Sequence, residues 1–216
     1  SNKLENLGLL SEFSLDTNKK VFIAPFGMNK IPQYFSRNTR VLSNTLVKRI
    51  SHKKTGWEVF TEAGSFSSLS VVLTMPIAQV ETLLRNSALE NFILPKVDYL
   101  DFYTCTFISG KHKIVDVSSK SESFPWICNN SKKGLRNTLD AFTANVNKDI
   151  PQSLKNLSPE QKLEIVEGLL NSSGFENIKG LNVHYWRYAF ADNQDNPDYF
   201  FDKSIGLGVC GDSFSV

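Results

Sequence analysis

The chain has 216 residues, 41% of them hydrophobic, with 24 basic against 22 acidic side chains and a formal net charge of +2. A chain of this size buries roughly 70% of the surface that its unfolded form exposes, so one large domain or two joined lobes is expected. The charges are scattered, which argues against nucleic acid or an acidic membrane as the main partner. No apolar run approaches the ~20 residues of a membrane-spanning helix.

Residues 1 to 20 are polar and carry only a weak leucine pattern. From Val21 the run VFIAPFGM predicts a short strand broken by Pro25 and Gly27. A short helix follows, with Asn29 placed to cap it and Pro32 tolerated in its first turn. Val41 to Ile50 reads as a strand rich in β-branched residues. Trp57 to Thr61 alternates cleanly, and a turn is expected at Ala63-Gly64. Phe66 to Thr74 then reads as one further strand whose end, SVVLT, is apolar on both faces, as in a central strand. Pro76 starts a helix with Ile77, Val80, Leu83 and Leu84 on one face.

Strands are expected from Val97 to Ile108 and from Ile114 to Val117, joined by a turn at Gly110. Ser123 to Asn130 and Leu139 to Val146 continue the pattern, and the alternation suggests an antiparallel sheet. Ser158 to Leu170 is the clearest helix. Ser158 and Gln161 form a capping box, Pro159 takes the first helical position, and Leu163, Val166, Leu169 and Leu170 make the buried stripe. Gly174 ends it. Ile205 to Cys210 is a last strand, closing on Gly211-Asp212.

Three cysteines, Cys105, Cys128 and Cys210, are an odd number at wide spacings among apolar neighbours. They read as reduced core residues of a cytoplasmic protein. No signal peptide is recognisable at the start, and the sequons at Asn129, Asn156 and Asn171 read as chance products of an Asn- and Ser-rich sequence. His52, His112 and His184 are far apart and no C-x-x-C pair occurs, so no metal site is expected.

The stretch from Gly206 to Gly211 matches G-x-G-x-x-G, but these glycines sit inside a strand pattern instead of linking a strand to a helix. They read as a strand thinned by glycine so that backbone or ligand can approach. Tyr185, Trp186, Arg187 and Tyr188 crowd three rings and a guanidinium together. Trp186 and Arg187 fit two readings: a strand with the ring in the core and the guanidinium at the surface, or the wall of a pocket.

Taken in order, several segments resemble the renalase-like branch of the flavin-containing amine oxidase family. These are FGM at 26–28, VLSNTLVKRI and WEVF within 41–60, VVLTMPIAQVETLL at 71–84, PWICNNSKKGLR at 125–136, DAFTANV at 140–146, HYWRYA at 184–189 and GVCGDSF at 208–214. The resemblance implies an α+β flavoprotein fragment: a mixed or antiparallel substrate-domain sheet with flanking helices, plus part of a Rossmann-type FAD-binding lobe. It divides the chain into 1–84 (cofactor lobe), 85–183 (substrate lobe) and 184–216 (return to the cofactor lobe).

By the same resemblance Val47, Met75, Pro76, Gly211 and Asp212 would hold FAD, and Trp186, Arg187 and Tyr188 would line the flavin and substrate cavity. The implied reaction is hydride transfer from a small reduced substrate, with NAD(P)H-related molecules among the candidates, to the flavin. No catalytic base can be named, and the oligomeric state is left open. The family's N-terminal βαβ unit, with its glycine fingerprint, does not occur in the sequence. The chain therefore reads as a truncated, inactive fragment of a longer oxidoreductase. The competing reading is a non-catalytic α+β domain whose aromatic patch holds a ligand or a protein.

Overall fold

The computed structural model describes residues 2–13, 21–89, 91–112, 118–133, 140–147, 149–150, 154–192 and 197–214. The chain opens with α1 (Asn2–Asn6), a small antiparallel pair β1 (Ser11–Phe13) and β2 (Val21–Ile23), and α2 (Lys30–Ser36). Asn29 precedes α2 but has helical backbone angles and makes no capping hydrogen bond, and α2 buries none of its residues. The Pro25 and Gly27 turn ends β2 as the composition requires, with the Gly27 N–H donating to Ala24 O at 2.9 Å.

An antiparallel meander follows, β3 (Val47–Lys53), β4 (Gly56–Thr61) and β5 (Gly64–Ser68). The strand expected from Val41 starts six residues later. Asn44 has φ +53, which breaks any extended run, and Val41 and Leu46 are left exposed. The strand expected from Phe66 to Thr74 is two strands in two different sheets. Ser68 Oγ donates to Ser70 O and accepts from Ser70 N; this local loop turns the chain between β5 and β6 (Val71–Leu73).

Helix α3 (Ile77–Asn86) starts behind Pro76 and buries Ile77, Val80, Leu83 and Leu84. Each such side chain contributes roughly 1.5–3 kcal/mol of transfer free energy. Next come β7 (Asp98–Lys111), β8 (Ser118–Ser119), β9 (Trp126–Asn129) with a short 3₁₀ turn after it, and β10 (Ala141–Asn145). Helix α4 (Pro159–Ser172) carries the expected capping box between Ser158 and Gln161. Its end is marked by Gly174 at φ +88. The chain closes with β11 (Glu176–Asp192), β12 (Phe200–Asp202) and β13 (Leu207–Val209).

The turn expected at Gly110 is absent, because β7 runs on to Lys111. Its end is held on both sides: Ser109 N donates to Asp140 O at 3.1 Å and Ser109 Oγ to Glu176 O at 2.8 Å. The strand expected at 114–117 lies outside the described residues.

The chain forms two compact units, Ser1–Val41 with Phe102–Trp186, and Leu42–Asp101 with Arg187–Val216. Their boundaries fall within β7 and β11, strands of 14 and 17 residues that carry residues of both units. Residues 1–41 accordingly belong with the first unit. That unit contains a five-stranded sheet in the order β11-β7-β10-β9-β8. Phe107, Phe142 and Phe175 meet at centroid distances of 4.9 to 5.2 Å, and Val166 and Leu170 of α4 join the same core.

The second unit contains the meander, α3 and a three-stranded sheet in the order β12-β13-β6, with β13 parallel to β6. Ile50, Trp57, Leu73, Val80, Leu207 and Phe214 are its buried centre. The Trp57 indole N–H donates to Ile205 O at 2.7 Å and ties the meander to the approach of β13. The fold is mixed α+β, dominated by sheet.

Candidate functional site

In the second unit two hydroxyls and a carboxylate meet at the carboxyl ends of the parallel pair β6 and β13, the position where open α/β sheets hold ligands. Beyond β6 the chain passes Thr74 and Met75 to Pro76, the residue that starts α3. Beyond β13 it passes Cys210 to Gly211 and Asp212. The two exits are pinned by Cys210 N donating to Leu73 O at 3.0 Å, and the turn is closed by Phe214 N donating to Gly211 O at 3.1 Å.

Gly211 is required there. Its φ is +138, and a Cβ would stand 3.2 Å from the Thr74 carbonyl oxygen. The glycine lets the 211–212 turn lie against the end of β6. It leaves the Asp212 carboxylate exposed to solvent.

The first backbone N–H of α3, an orphan by helix geometry, is satisfied from elsewhere in the chain. Ile77 N donates to Tyr99 Oη at 2.8 Å and to Ser213 Oγ at 3.3 Å. The two hydroxyls are themselves hydrogen-bonded, and Ser213 Oγ lies 3.5 Å from Asp212 Oδ1. One order of protons serves the whole chain of groups: Tyr99 donates to Ser213, and Ser213 donates to the Asp212 carboxylate. Tyr188 packs edge-on against Tyr99 at 5.1 Å, so the aromatic pair backs this hydroxyl relay.

Beside these exits lies a pocket of about 460 Å³, walled by Val47, Ile50, Val59, Leu73, Met75 and Leu83 among others. Its size is within the ordinary range for small-molecule sites. Of the five residues expected at a cofactor, two share this pocket and three lie outside its walls. Val47 and Met75 line one pocket, Pro76 follows Met75 into α3, and Gly211 and Asp212 form the turn against Thr74.

The three expected cavity residues are spread along β11. Trp186, the last residue of the first unit, is 49% exposed, which removes it from any core. Its ring meets His184 edge-on at 4.4 Å. Arg187 belongs to the second unit, is exposed, and makes no ion pair or hydrogen bond among the described residues. Tyr188 is half-buried against Tyr99.

Tyr99 and Ser213 were not expected at the site. Ser213 directly follows Gly-Asp and could have been suspected, but the pairing of Tyr99 with a residue 114 positions away leaves no local signal. In the first unit, His112 Nε2 bonds Asp140 Oδ2 at 2.7 Å, and this partner holds the Asp140 carboxyl below its usual range. Burial pushes the Cys105 thiol up to about 12. Among the described residues no three His, Cys, Asp or Glu side chains converge as a metal site would require, and no helix is long and apolar enough to cross a membrane.

No protein-family model and no curated protein matches the chain by sequence. Solved structures match it by fold. A protein from Exiguobacterium sp. 255-15 assigned as a protoporphyrinogen oxidase superimposes with a TM-score of 0.67 at 14% identity, over 89% of this chain and 48% of that one. Cyclohexylamine oxidase from Brevibacterium oxydans IH-35A gives 0.52 at 12% identity, over 84% and 45%. A putrescine oxidase redesigned in its cofactor binding gives 0.50 at 14%, over 74% and 39%. The chain thus shares its fold with parts of these proteins and spans about half of their length or less.

Proposed function

We propose that the chain supplies the substrate lobe and half of the cofactor lobe of an FAD-dependent oxidoreductase, of amine-oxidase type and of the renalase-like branch. The observation that carries this reading is the turn of Gly211 and Asp212 against Thr74 at the carboxyl ends of β6 and β13, beside a pocket that Val47 and Met75 line, in a fold shared with three oxidases. The residues fit parts of the group. The apolar pocket between Val47 and Met75 suits a flat ring, and the exposed Asp212 carboxylate suits hydroxyls that donate to it. FAD bound there would supply a two-electron acceptor for a hydride from a small reduced substrate.

The chain's own residues bind and orient. Val47 and Met75 would hold a ring by apolar contact, and the Ser213 hydroxyl, 3.5 Å from Asp212 Oδ1, stands beside the carboxylate. Arg187, with its charge uncommitted, would meet an anionic group of the substrate or cofactor, and NAD(P)H-related molecules carry such groups. Trp186 keeps the role that the resemblance gives it, a wall of the substrate cavity.

The test is an absorbance spectrum of a longer clone that includes upstream sequence, purified with FAD present. A yellow protein that loses its flavin on dialysis when Asp212→Ala is introduced supports the reading. A colourless protein, still colourless after FAD is added, refutes it and leaves a non-catalytic binding domain.

A further inference from the structure

We propose that the first unit holds a binding site for a small aromatic carboxylate, in the cleft between the start of α4 and the strands β7 and β11. The cleft measures about 330 Å³, at the small end of the range for ligand sites. Tyr103, Leu163, Leu181, Val183 and Tyr185 give it apolar walls. None of the residues named for the cofactor or the substrate cavity lines it. Successive side chains of a strand point to opposite faces, so Tyr185 stands on the face of β11 away from Trp186.

The two tyrosines set the shape of the ligand. Their ring centroids lie 4.9 Å apart, with the planes only 35° from parallel. Tyr103 is 2% exposed and belongs to the same core as Phe107 and Phe175, which holds its ring in place. Tyr185 packs against that core and is half-buried, so part of its ring is left to the cleft. A flat, rigid ring covers such a wall at less entropic cost than a flexible chain of the same area.

The charges set its sign. Among the described lining residues Lys162 carries the one charge, and none is acidic. Lys162 Nζ stands 5.9 Å from the centroid of the Tyr103 ring, and Lys155 Nζ stands 5.6 Å from that of Tyr185. The negative ring faces hold these cations over the tyrosines. The Lys162 side chain makes no ion pair or hydrogen bond among the described residues, so its three donors are available to an anion. The polar groups at the start of α4 are engaged with one another: Ser158 Oγ donates to Glu160 Oε2 at 2.8 Å and accepts from Gln161 N at 3.3 Å, and Lys162 N donates to Ser158 O at 3.0 Å. The helix therefore offers its ammonium and not its amides. One lining cation above apolar walls suits one negative charge on a flat apolar body.

The probe is 2-naphthoate, titrated by calorimetry into the purified chain without flavin, so the result is independent of the cofactor reading. Saturable binding is expected, weakening as potassium chloride is raised. 2-Naphthamide has the same shape without the charge and is expected to bind about tenfold more weakly or worse. Octanoate, with the charge on a flexible chain, is expected to bind more weakly than 2-naphthoate. Lys162→Gln is expected to weaken 2-naphthoate about tenfold with an unchanged circular dichroism spectrum, and Lys162→Arg to retain most of the affinity.

Absence of saturable binding overturns the proposal. Equal affinity for the amide overturns it too, because the cleft is then an apolar groove without a use for its cation. Octanoate bound as tightly as 2-naphthoate overturns the aromatic class, and an unchanged affinity in Lys162→Gln places the bound probe somewhere other than this cleft.

Discussion

Gly211→Ala tests whether the turn at the end of β13 is built as described. The residue sits at φ +138, where an L side chain is strained, and the added methyl would lie 3.2 Å from the Thr74 carbonyl oxygen, a backbone atom. The strained backbone costs about 1–3 kcal/mol, and forcing a methyl against a fixed neighbour costs about 1–3 kcal/mol more. Gly64→Ala provides the control in the same unit: φ is +127, but nothing lies within 4 Å of the new methyl. The control should show the backbone cost alone, and Gly211→Ala should exceed it. Hydrogen exchange over β6 and β13 under native conditions reads the difference. Each 1.4 kcal/mol speeds exchange by about tenfold. Equal effects of the two substitutions would show that the turn does not press on Thr74, and the geometry assigned to Asp212 would fall with it.

Ser158→Ala removes one half of the capping box of α4 and should lower stability by about 1 kcal/mol in urea unfolding of the first unit. Trp57→Phe removes the indole donor at 2.7 Å from Ile205 O, a part-buried hydrogen bond; its loss should cost about 0.5–1.5 kcal/mol, read by urea unfolding of the second unit. Asp140, held by His112 below its usual range, contributes stability above the ordinary aspartate pKa of about 3.9 that is lost as pH falls below it. The melting temperature of Asp140→Asn should therefore depend less on pH in that acid window than that of the parent chain. Iodoacetamide near neutral pH should leave Cys105, which is fully buried with its thiol at about 12, unmodified while it alkylates the partly exposed Cys210; labelling of both at one rate would contradict the packing around β7.

The parts of the fold visible in sequence are those with local causes. The Ser158, Pro159 and Gln161 pattern specifies the start of α4, and Pro76 with a 3.6-residue apolar stripe specifies α3. Strand limits are less legible because they depend on partners. Nothing in FSSLSVVLT announces that a Ser68–Ser70 hydrogen bond divides it between two sheets. Gly110 looked like a turn because its neighbours on β10 and β11, which keep it extended, are far away in sequence. For the glycine-rich stretch the strand reading applies only at its centre: Gly208 lies within β13, against Val72 and Phe201, while Gly206 and Gly211 stand in the turns on either side at φ +67 and +138. The cofactor-site residues were named from resemblance. Their meeting in space depends on β6 pairing in parallel with β13, a contact across more than a hundred residues.

The structure narrows what Asp212 can do in the proposed enzyme. A helix N-terminus commonly holds a phosphate through its free amides. At α3 the first amide, Ile77 N–H, is already shared by Tyr99 and Ser213. Asp212 itself has only acceptor oxygens when ionised, and a phosphate offers only acceptors in return. Placing the two together would add repulsion without a hydrogen bond. Asp212 therefore suits hydroxyl donors, such as those of a ribityl or ribose chain. The phosphates of any dinucleotide bound at this end of the sheet need amides or cations from other residues. That division of labour separates two substitutions. Asp212→Asn keeps an acceptor oxygen and removes the charge, and should retain part of the binding that Asp212→Ala loses.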